Sequence, residues 1–346
     1  MTRFPIALGA VLAATVAFPT LAAESAADFY KGKQLKVMIG SGPGGAYDLV
    51  GRLLAQHMGK HIPGNPTLVA QNVPGAGSLT LANQLFNTAP KDGTVFGVVT
   101  NGMPTAQIFT PETARFDVSK FNWLGSPGAE VQVVMVWHDA AVQTIQDLFT
   151  KELIVGGIAP GTATVDNPII MNGFLGSKFQ VISGYESNSQ VDLAMERGEV
   201  KAQAANGWVS AKTRNGEWLK TGKAKLVAQY GTKKHPDLQN VPLFDLPKDA
   251  DSRQAIEILF ARQDYGRPFI APPGVPADRI EVLRKAFADT MRDAEFLADA
   301  TKAKLEIDPM SGADMEALTA KVAKTTPEVG AKIRDVLAKA DLAAPK

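Results

Sequence analysis

Apolar residues recur along the chain in two alternating patterns, short continuous runs and then stripes three and four residues apart, which predicts strands alternating with helices. The first run, 35–39, ends in Gly40-Ser41-Gly42-Pro43-Gly44-Gly45. Leu49, Val50, Leu53, Leu54 and Met58 follow and predict an amphipathic helix with these side chains on one face. Pro63-Gly64-Asn65-Pro66 makes a turn, and 67–71 reads as a second strand. Pro74-Gly75-Ala76-Gly77-Ser78 then opens a helix carrying Leu81, Leu85 and Phe86, and Lys91-Asp92-Gly93 turns the chain into a third strand at 94–100. Short connections between alternating strands and helices predict a parallel sheet covered by helices.

The rhythm resets after Trp123. Strands are predicted at 131–137, 153–158, 179–182 and 200–204, with helices near 144–149, from Pro160-Gly161-Thr162-Ala163-Thr164 to about Gly176, and at 189–197. This second α/β unit is built like the first, although no internal duplication is visible in the sequence. A further strand, Phe269-Ile270-Ala271, stops at Pro272-Pro273-Gly274-Val275-Pro276, and only helices are predicted beyond it. Ile280, Leu283, Phe287 and Met291 form one apolar stripe, and Ile333 and Leu337 mark the last helix. The expected architecture is α/β: two lobes, each a mainly parallel sheet flanked by helices, with a cleft between them. No flexible linker is evident, so the chain is expected to cross between the lobes more than once.

A chain of 346 residues with 45% hydrophobic content has material for two cores. The 36 Lys and Arg nearly cancel the 35 Asp and Glu without a basic run, which argues against a nucleic-acid partner. At the N-terminus, Arg3, the apolar stretch from Phe4 to Phe18 and the small residues of Leu21-Ala22-Ala23 fit a secretory signal peptide over 1–23, with the mature chain starting near Glu24. The stretch is too short and poorly flanked for a spanning helix. With no cysteine, a lipid anchor after the signal is excluded and the fold forms without disulfides. The mature protein is expected to be soluble, monomeric and periplasmic.

Gly40, Gly42 and Gly45 satisfy a dinucleotide-type spacing, but Pro43 interrupts it, and the second strand ends in Gln71-Asn72 with no acidic residue to hold a ribose. No cofactor is expected. What survives is the physics of the loop: a glycine-rich turn at a helix N-terminus presents unpaired N–H groups and a positive dipole end, and an anion can sit there without Lys or Arg. The device recurs at 74–78 and at 161–164, where Thr162 and Thr164 add hydroxyls. Tight-turn geometry accounts for any one of these loops. The set points to a shared site in the cleft. Asp48, in the first helical turn, either complements the dipole or orients a ligand donor or loop amide. No catalytic motif stands out: there is no cysteine, no G-x-S-x-G and no H-E-x-x-H. His57 and His61 have the i, i+4 spacing of metal ligands but lack a third, and are expected to be a surface pair.

At these loops the chain resembles the substrate-binding proteins of tripartite tricarboxylate transporters, the Bug or TctC-like family. The matching motifs are Pro43-Gly44-Gly45-Ala46-Tyr47-Asp48 for P-G-G-x-x-D and Asn72-Val73-Pro74-Gly75-Ala76-Gly77 for N-x-P-G-A-G. Pro90 through Gly93, Gly184-Tyr185, Asp192 through Val200 and 269–276 add weaker matches. The resemblance implies a type II-like periplasmic binding fold with hinge strands, 24–128 plus 268–346 forming one lobe and 129–267 the other. It implies no catalysis, a small organic acid as ligand and docking onto integral membrane subunits of a transporter. It places the carboxylate at Gly44, Gly45, Ala46, Gly75, Ala76, Gly77 and Ser78, joined by Thr100 and Asn101, with Tyr47 and Asp48 beside them. Thr162, Thr164 and Asn206 are the second-lobe candidates. Tyr47 and Trp208 are candidates to stack on an aromatic acid, with core packing an equally good account of Trp208. The first loop departs from the family in having Ser41-Gly42 before a single proline, 185–188 lacks a glycine-rich continuation, and 206–218 fits poorly. Two other readings stay open: a two-lobed periplasmic hydrolase using cleft carboxylates, and a sensory module for a membrane kinase.

Overall fold

The computed structural model describes residues 25–345, so the predicted signal segment lies outside the described residues. In chain order the strands are β1 (Gln34–Ile39), β2 (Thr67–Asn72), β3 (Val95–Val98), β4 (Asn122–Ser126), β5 (Gln132–Trp137), β6 (Leu153–Gly157), β7 (Phe179–Ser183), β8 (Ala202–Gly207), β9 (Ala224–Gln229), β10 (Phe269–Ala271) and β11 (Met310–Ser311). They form two sheets, ordered β11-β4-β10-β3-β1-β2 and β7-β6-β8-β5-β9. In the first, β10 and β11 run against the other strands. In the second, β5 alone runs against the rest. Both sheets are thus mainly parallel, and the central strands β3 and β5 are buried along their whole length, as sheets covered on both faces require.

The antiparallel strands β5 and β10 are those that enter each sheet from the other. The chain leaves β4 through 127–131 to reach β5, and returns from the helix Ala250–Tyr265 through 266–268 to β10. These two crossings lie side by side. Glu130 N donates to the Gln263 carbonyl (2.9 Å), Gln132 N to Gln263 Oε1 (2.8 Å) and Arg267 N to Ser126 Oγ (3.0 Å). The helix Ala250–Tyr265 serves both lobes. Ala255, Ile256, Leu259 and Phe260 pack into the second-lobe core, while Ala261 and Tyr265 pack against the first, Tyr265 stacking on the fully buried Trp123 at 5.5 Å.

Several expectations need correction. Residues 327–346 were expected in the first lobe, but the helix Pro327–Ala338 places Val329 and Ile333 in the second-lobe core, and Ala343 bridges to Ile182 at the β7 edge. The first lobe already has Met315 and Val322 of the helix Gly312–Val322 on that face, so the last apolar stripe covers the other lobe. The helix expected near 144–149 is a single 3-10 turn, Gln146–Phe149. β11 interrupts the stretch expected to be all helix, pairing Met310 with Ser126. Leu49 sits at the edge of its helix stripe and is 36% exposed, while Val50, Leu53 and Leu54 are buried.

Candidate functional site

Each lobe carries an equivalent loop at the N-terminus of a helix. In the first lobe, Gly44 N donates to Asp48 Oδ2 at 2.9 Å; in the second, Gly161 N donates to Asp166 Oδ1 at 2.9 Å. Each loop reads Pro-Gly-x-Ala followed by an aspartate in the first helical turn, Pro43 to Asp48 and Pro160 to Asp166. The aspartate folds the glycine amide back and so shapes the helix entrance. Asp48 also accepts from Arg52 Nε (2.9 Å) and Asn72 Nδ2 (2.8 Å). Of the roles open in the sequence, the structure gives it the orienting of a loop amide. Burial alone would raise the Asp48 carboxyl, but hydrogen bonds from Arg52, Gly44 and Asn72 hold it below the usual carboxylate range. Its contribution is therefore complete above the unfolded pKa near 3.9 and is lost as pH falls through the lower native value. Asp48→Ala should cost about 3 kcal/mol at neutral pH, from three charge-assisted bonds lost together. Denaturant titrations across pH should show the gap between wild type and variant shrinking below about pH 4.

The loop at 74–78 is held under backbone strain. Gly75, Ala76, Gly77 and Ser78 have φ of 140°, 44°, 59° and 72°, all positive, although two of them carry side chains. Such strain persists only where neighbours over-determine it. Ser78 Oγ donates to the Gly40 carbonyl (2.9 Å) and accepts from Thr100 N (3.0 Å), and Thr100 Oγ1 donates to the Gly77 carbonyl (2.7 Å). One buried hydroxyl thus ties the ends of β1 and β3 to this loop.

A polar cavity of about 200 Å³ lies between the lobes. Tyr47, Gly77, Thr100, Asn101 and Gly102 line it from the first lobe, and residues 161–164, Asn188 and Ser210 from the second. Ala205 and Gly207 of β8, Glu130 of the first crossing, Gln132 at the start of β5, and Arg262 complete the wall. The lobes approach closely here, since a methyl group on Gly77 would sit 4.0 Å from the Gly161 carbonyl oxygen. Ala163 and Thr164 open the helix Ala163–Leu175, so their N–H groups have no intrahelical acceptor. Thr162 Oγ1 and Thr164 Oγ1 lie 2.9 Å apart and bond the loop itself, to the Ala159 carbonyl and Ile158 N.

Tyr47 joins the site to the crossings. Its hydroxyl accepts from Asn101 N (3.1 Å) and donates to the Gly266 carbonyl (3.2 Å), with Glu130 Oε2 at 3.4 Å. Burial, reinforced by the Glu130 carboxylate, pushes the phenol well above its ordinary pKa, so it remains a neutral donor. Arg262 is buried: its Nε donates to Thr105 Oγ1 (2.8 Å), its guanidinium lies 3.8 Å from the Phe109 ring centroid, and Nη1 stands 3.5 Å from Asp166 Oδ2. Burial pulls Arg262 down to about 10 against the pull of Asp166, and pushes Asp166 up against the pull of Arg262. At 3.5 Å the two charges form a loose contact inside a desolvated wall.

Among the described residues, His57, Asp293 and Glu295 bring ligand atoms within 4.8 Å of one another. Lys60 Nζ, 2.8 Å from Asp293 and 2.6 Å from Glu295, already supplies the cation. The two histidines are not a free surface pair: His57 is buried and bonded to Asp299, and His61 to Asp293, each at 3.1 Å.

No family model matches the chain. A curated relative from Cupriavidus necator, described as a UPF0065 protein in the gbd 5' region, is 25% identical over 320 residues, covering 88% of this chain and 89% of that one. A TctC solute binding protein from Polaromonas superposes with a TM-score of 0.65 at 17% identity, covering 90% of this chain and 99% of that one. MatC from Rhodopseudomonas palustris with bound malate gives 0.62 at 18% identity, covering 88% and 99%. A second R. palustris protein, with adipate, gives 0.62 at 17% identity, covering 90% and 98%. The chain has the fold of the TctC-type solute-binding proteins.

Within this TctC-type fold the residues expected at the site divide into three groups. Tyr47, Gly77, Thr100, Asn101, Thr162 and Thr164 line the polar cavity, and Ala76 joins Gly77 in the wall of a neighbouring chamber. Gly44, Gly45, Ala46 and Gly75 lie in their loops outside both walls. Asp48, Ser78 and Asn206 are buried behind the surface; Asp48 and Ser78 hold their loops, and Asn206 Nδ2 contacts Asn215 Oδ1 at 3.4 Å. Trp208 lines neither cavity: it packs with Val133 and Leu238 and donates to Asp237 Oδ2 (3.2 Å). Glu130, Gln132, Asn188, Ser210 and Arg262 went unseen in the sequence. They stand on a crossing, on β5 and on separate helices, and only the tertiary fold gathers them.

Proposed function

We propose that this protein is an extracytoplasmic solute-binding protein that captures a small organic acid between its lobes and delivers it to integral membrane subunits of a tripartite tricarboxylate-type transporter. The observation that carries the reading is the polar cavity between the lobes, where the N–H groups opening the helix Ala163–Leu175 and the loosely paired Arg262 meet Gly77, Thr100 and Asn101. A carboxylate there is met by N–H donors, a helix dipole and a buried cation. Similar folds hold malate and adipate in structures from R. palustris. The paired crossings at 127–131 and 266–268 supply a hinge for closure.

A thermal-shift screen on purified protein, unfolded and refolded to strip bound solute, tests the reading. Acids in one structural group should raise the melting temperature and neutral sugars should not, and the acid should be recovered unchanged. A ligand at 100 times its Kd stabilises by about 2.7 kcal/mol. Gly77→Val, which puts a branched side chain at φ 59° in the cavity wall, should abolish the shift while the protein stays folded. Silence across all acids, or turnover of one, would overturn the reading.

A further inference from the structure

Beside the polar cavity lies a second chamber of about 720 Å³, and the two share Gly77, Gly102, Gly161, Thr162 and Arg262 in their walls. Its body is apolar: Leu79, Met103, Ala106 and Phe109 from the first lobe face Val165 and Ile169 from the second. The helix Pro327–Ala338 adds Leu337 and Ala338 to its wall. We propose that this chamber receives the apolar body of the ligand, so that the protein selects monocarboxylates bearing a ring or an alkyl chain over di- and tricarboxylates. The inference rests on the carboxylate site proposed above and names the class of acid that fills it.

Size comes first. The polar cavity alone is smaller than the ~300–1,000 Å³ usual for small-molecule sites, whereas the chamber falls within that range. Charge is the second argument. A second carboxylate reaching into the chamber would lie among aliphatic and aromatic walls beside Asp166, which already occupies one face of Arg262. Burying a second charge there carries a desolvation penalty that an apolar group does not. The other cation in the wall, Arg334, has Nη1 tied to the Ile108 carbonyl at 2.8 Å but keeps its charge and its remaining donors, so it is the one group there that could meet a second carboxylate and is the residue varied below. A chain or ring has no such cost, and each buried methylene contributes about 0.8 kcal/mol.

Calorimetry on the stripped, refolded protein with straight-chain acids from butyrate to octanoate should show affinity rising about fourfold per methylene. Hexanoate and phenylacetate should bind at least tenfold tighter than adipate or malate. Ala106→Phe, which fills the chamber, should weaken octanoate at least tenfold and leave butyrate within twofold; Ile169→Phe is the second variant should the first fail to fold. A flat chain-length series overturns the inference. So does adipate binding tenfold tighter than hexanoate, above all if Arg334→Gln removes that preference. In both cases the carboxylate site stands if Gly77→Val still abolishes binding. If no acid of any class binds, the inference and the reading beneath it fall together.

Discussion

Gly266→Ala should destabilise the protein by at least about 4 kcal/mol, a loss in the range reserved for severe backbone or packing damage. Gly266 has φ 57° and ψ −104°, outside the region that L residues adopt readily. The larger cost comes from contact. A methyl group would sit 1.8 Å from the Gly128 carbonyl oxygen, 2.8 Å from its carbon and 3.1 Å from Ala129 Cα. All three are backbone atoms, so no side chain can rotate aside. Relief requires the two crossings to part, and that breaks the bonds from Glu130 N and Gln132 N to Gln263, from Arg267 N to Ser126 Oγ and from Tyr47 to the Gly266 carbonyl. Gly176 is the control: its φ of 74° is also left-handed, but a methyl there meets nothing within 4 Å. Gly176→Ala should cost only about 1 kcal/mol. Urea midpoints for the two variants decide the matter, and equal costs would mean that the close approach of the crossings contributes nothing.

The parts of this fold legible in the sequence are those whose burial repeats locally. β1, β2, β6, β7 and the helices Ala163–Leu175 and Asn188–Arg197 were predicted to within about two residues because each is an apolar run or stripe bounded by Gly or Pro. β4, β9 and the helix Ala250–Tyr265 went unread. That helix buries side chains on both lobes, Ile256 and Leu259 toward one and Ala261 and Tyr265 toward the other, so no single polar face marks it. β11 is too short to leave a periodic trace, and β4 gives it a partner only in three dimensions. The site divides the same way. Its glycine loops are contiguous motifs and were visible, with a loop amide among the partners left open for Asp48. Its matching device, Asp166 on Gly161, was missed because the second loop carries one extra residue before the aspartate. Arg262 has no sequence signal, since an arginine in a helix is ordinarily solvated.

Arg262→Met should separate what that residue does for the fold from what it does for the ligand. Methionine keeps an apolar stem against Phe109 and removes the charge, the bond to Thr105 Oγ1 and the partner of Asp166. Breaking one side of a buried pair leaves the other uncompensated, and the expected loss is about 3 kcal/mol. Its pH dependence has a definite sign. Burial already pushes the Asp166 carboxyl up and Arg262 pulls it down, so the variant carries a still higher native value. A carboxyl whose native pKa lies above its unfolded value holds an extra proton in the folded state, so stability falls as pH rises past about 3.9. The deficit relative to wild type should therefore be small in acid and grow toward neutral pH. Affinity for a monocarboxylate should fall about 10- to 100-fold, the worth of one charge-assisted contact. The double variant Arg262→Met, Asp166→Asn discriminates. Removing the orphaned carboxyl restores much of the stability but supplies no cation, so affinity should stay low. If the double variant regains both, Arg262 acts only on the fold, and the ligand is held by the backbone amides of the loops alone.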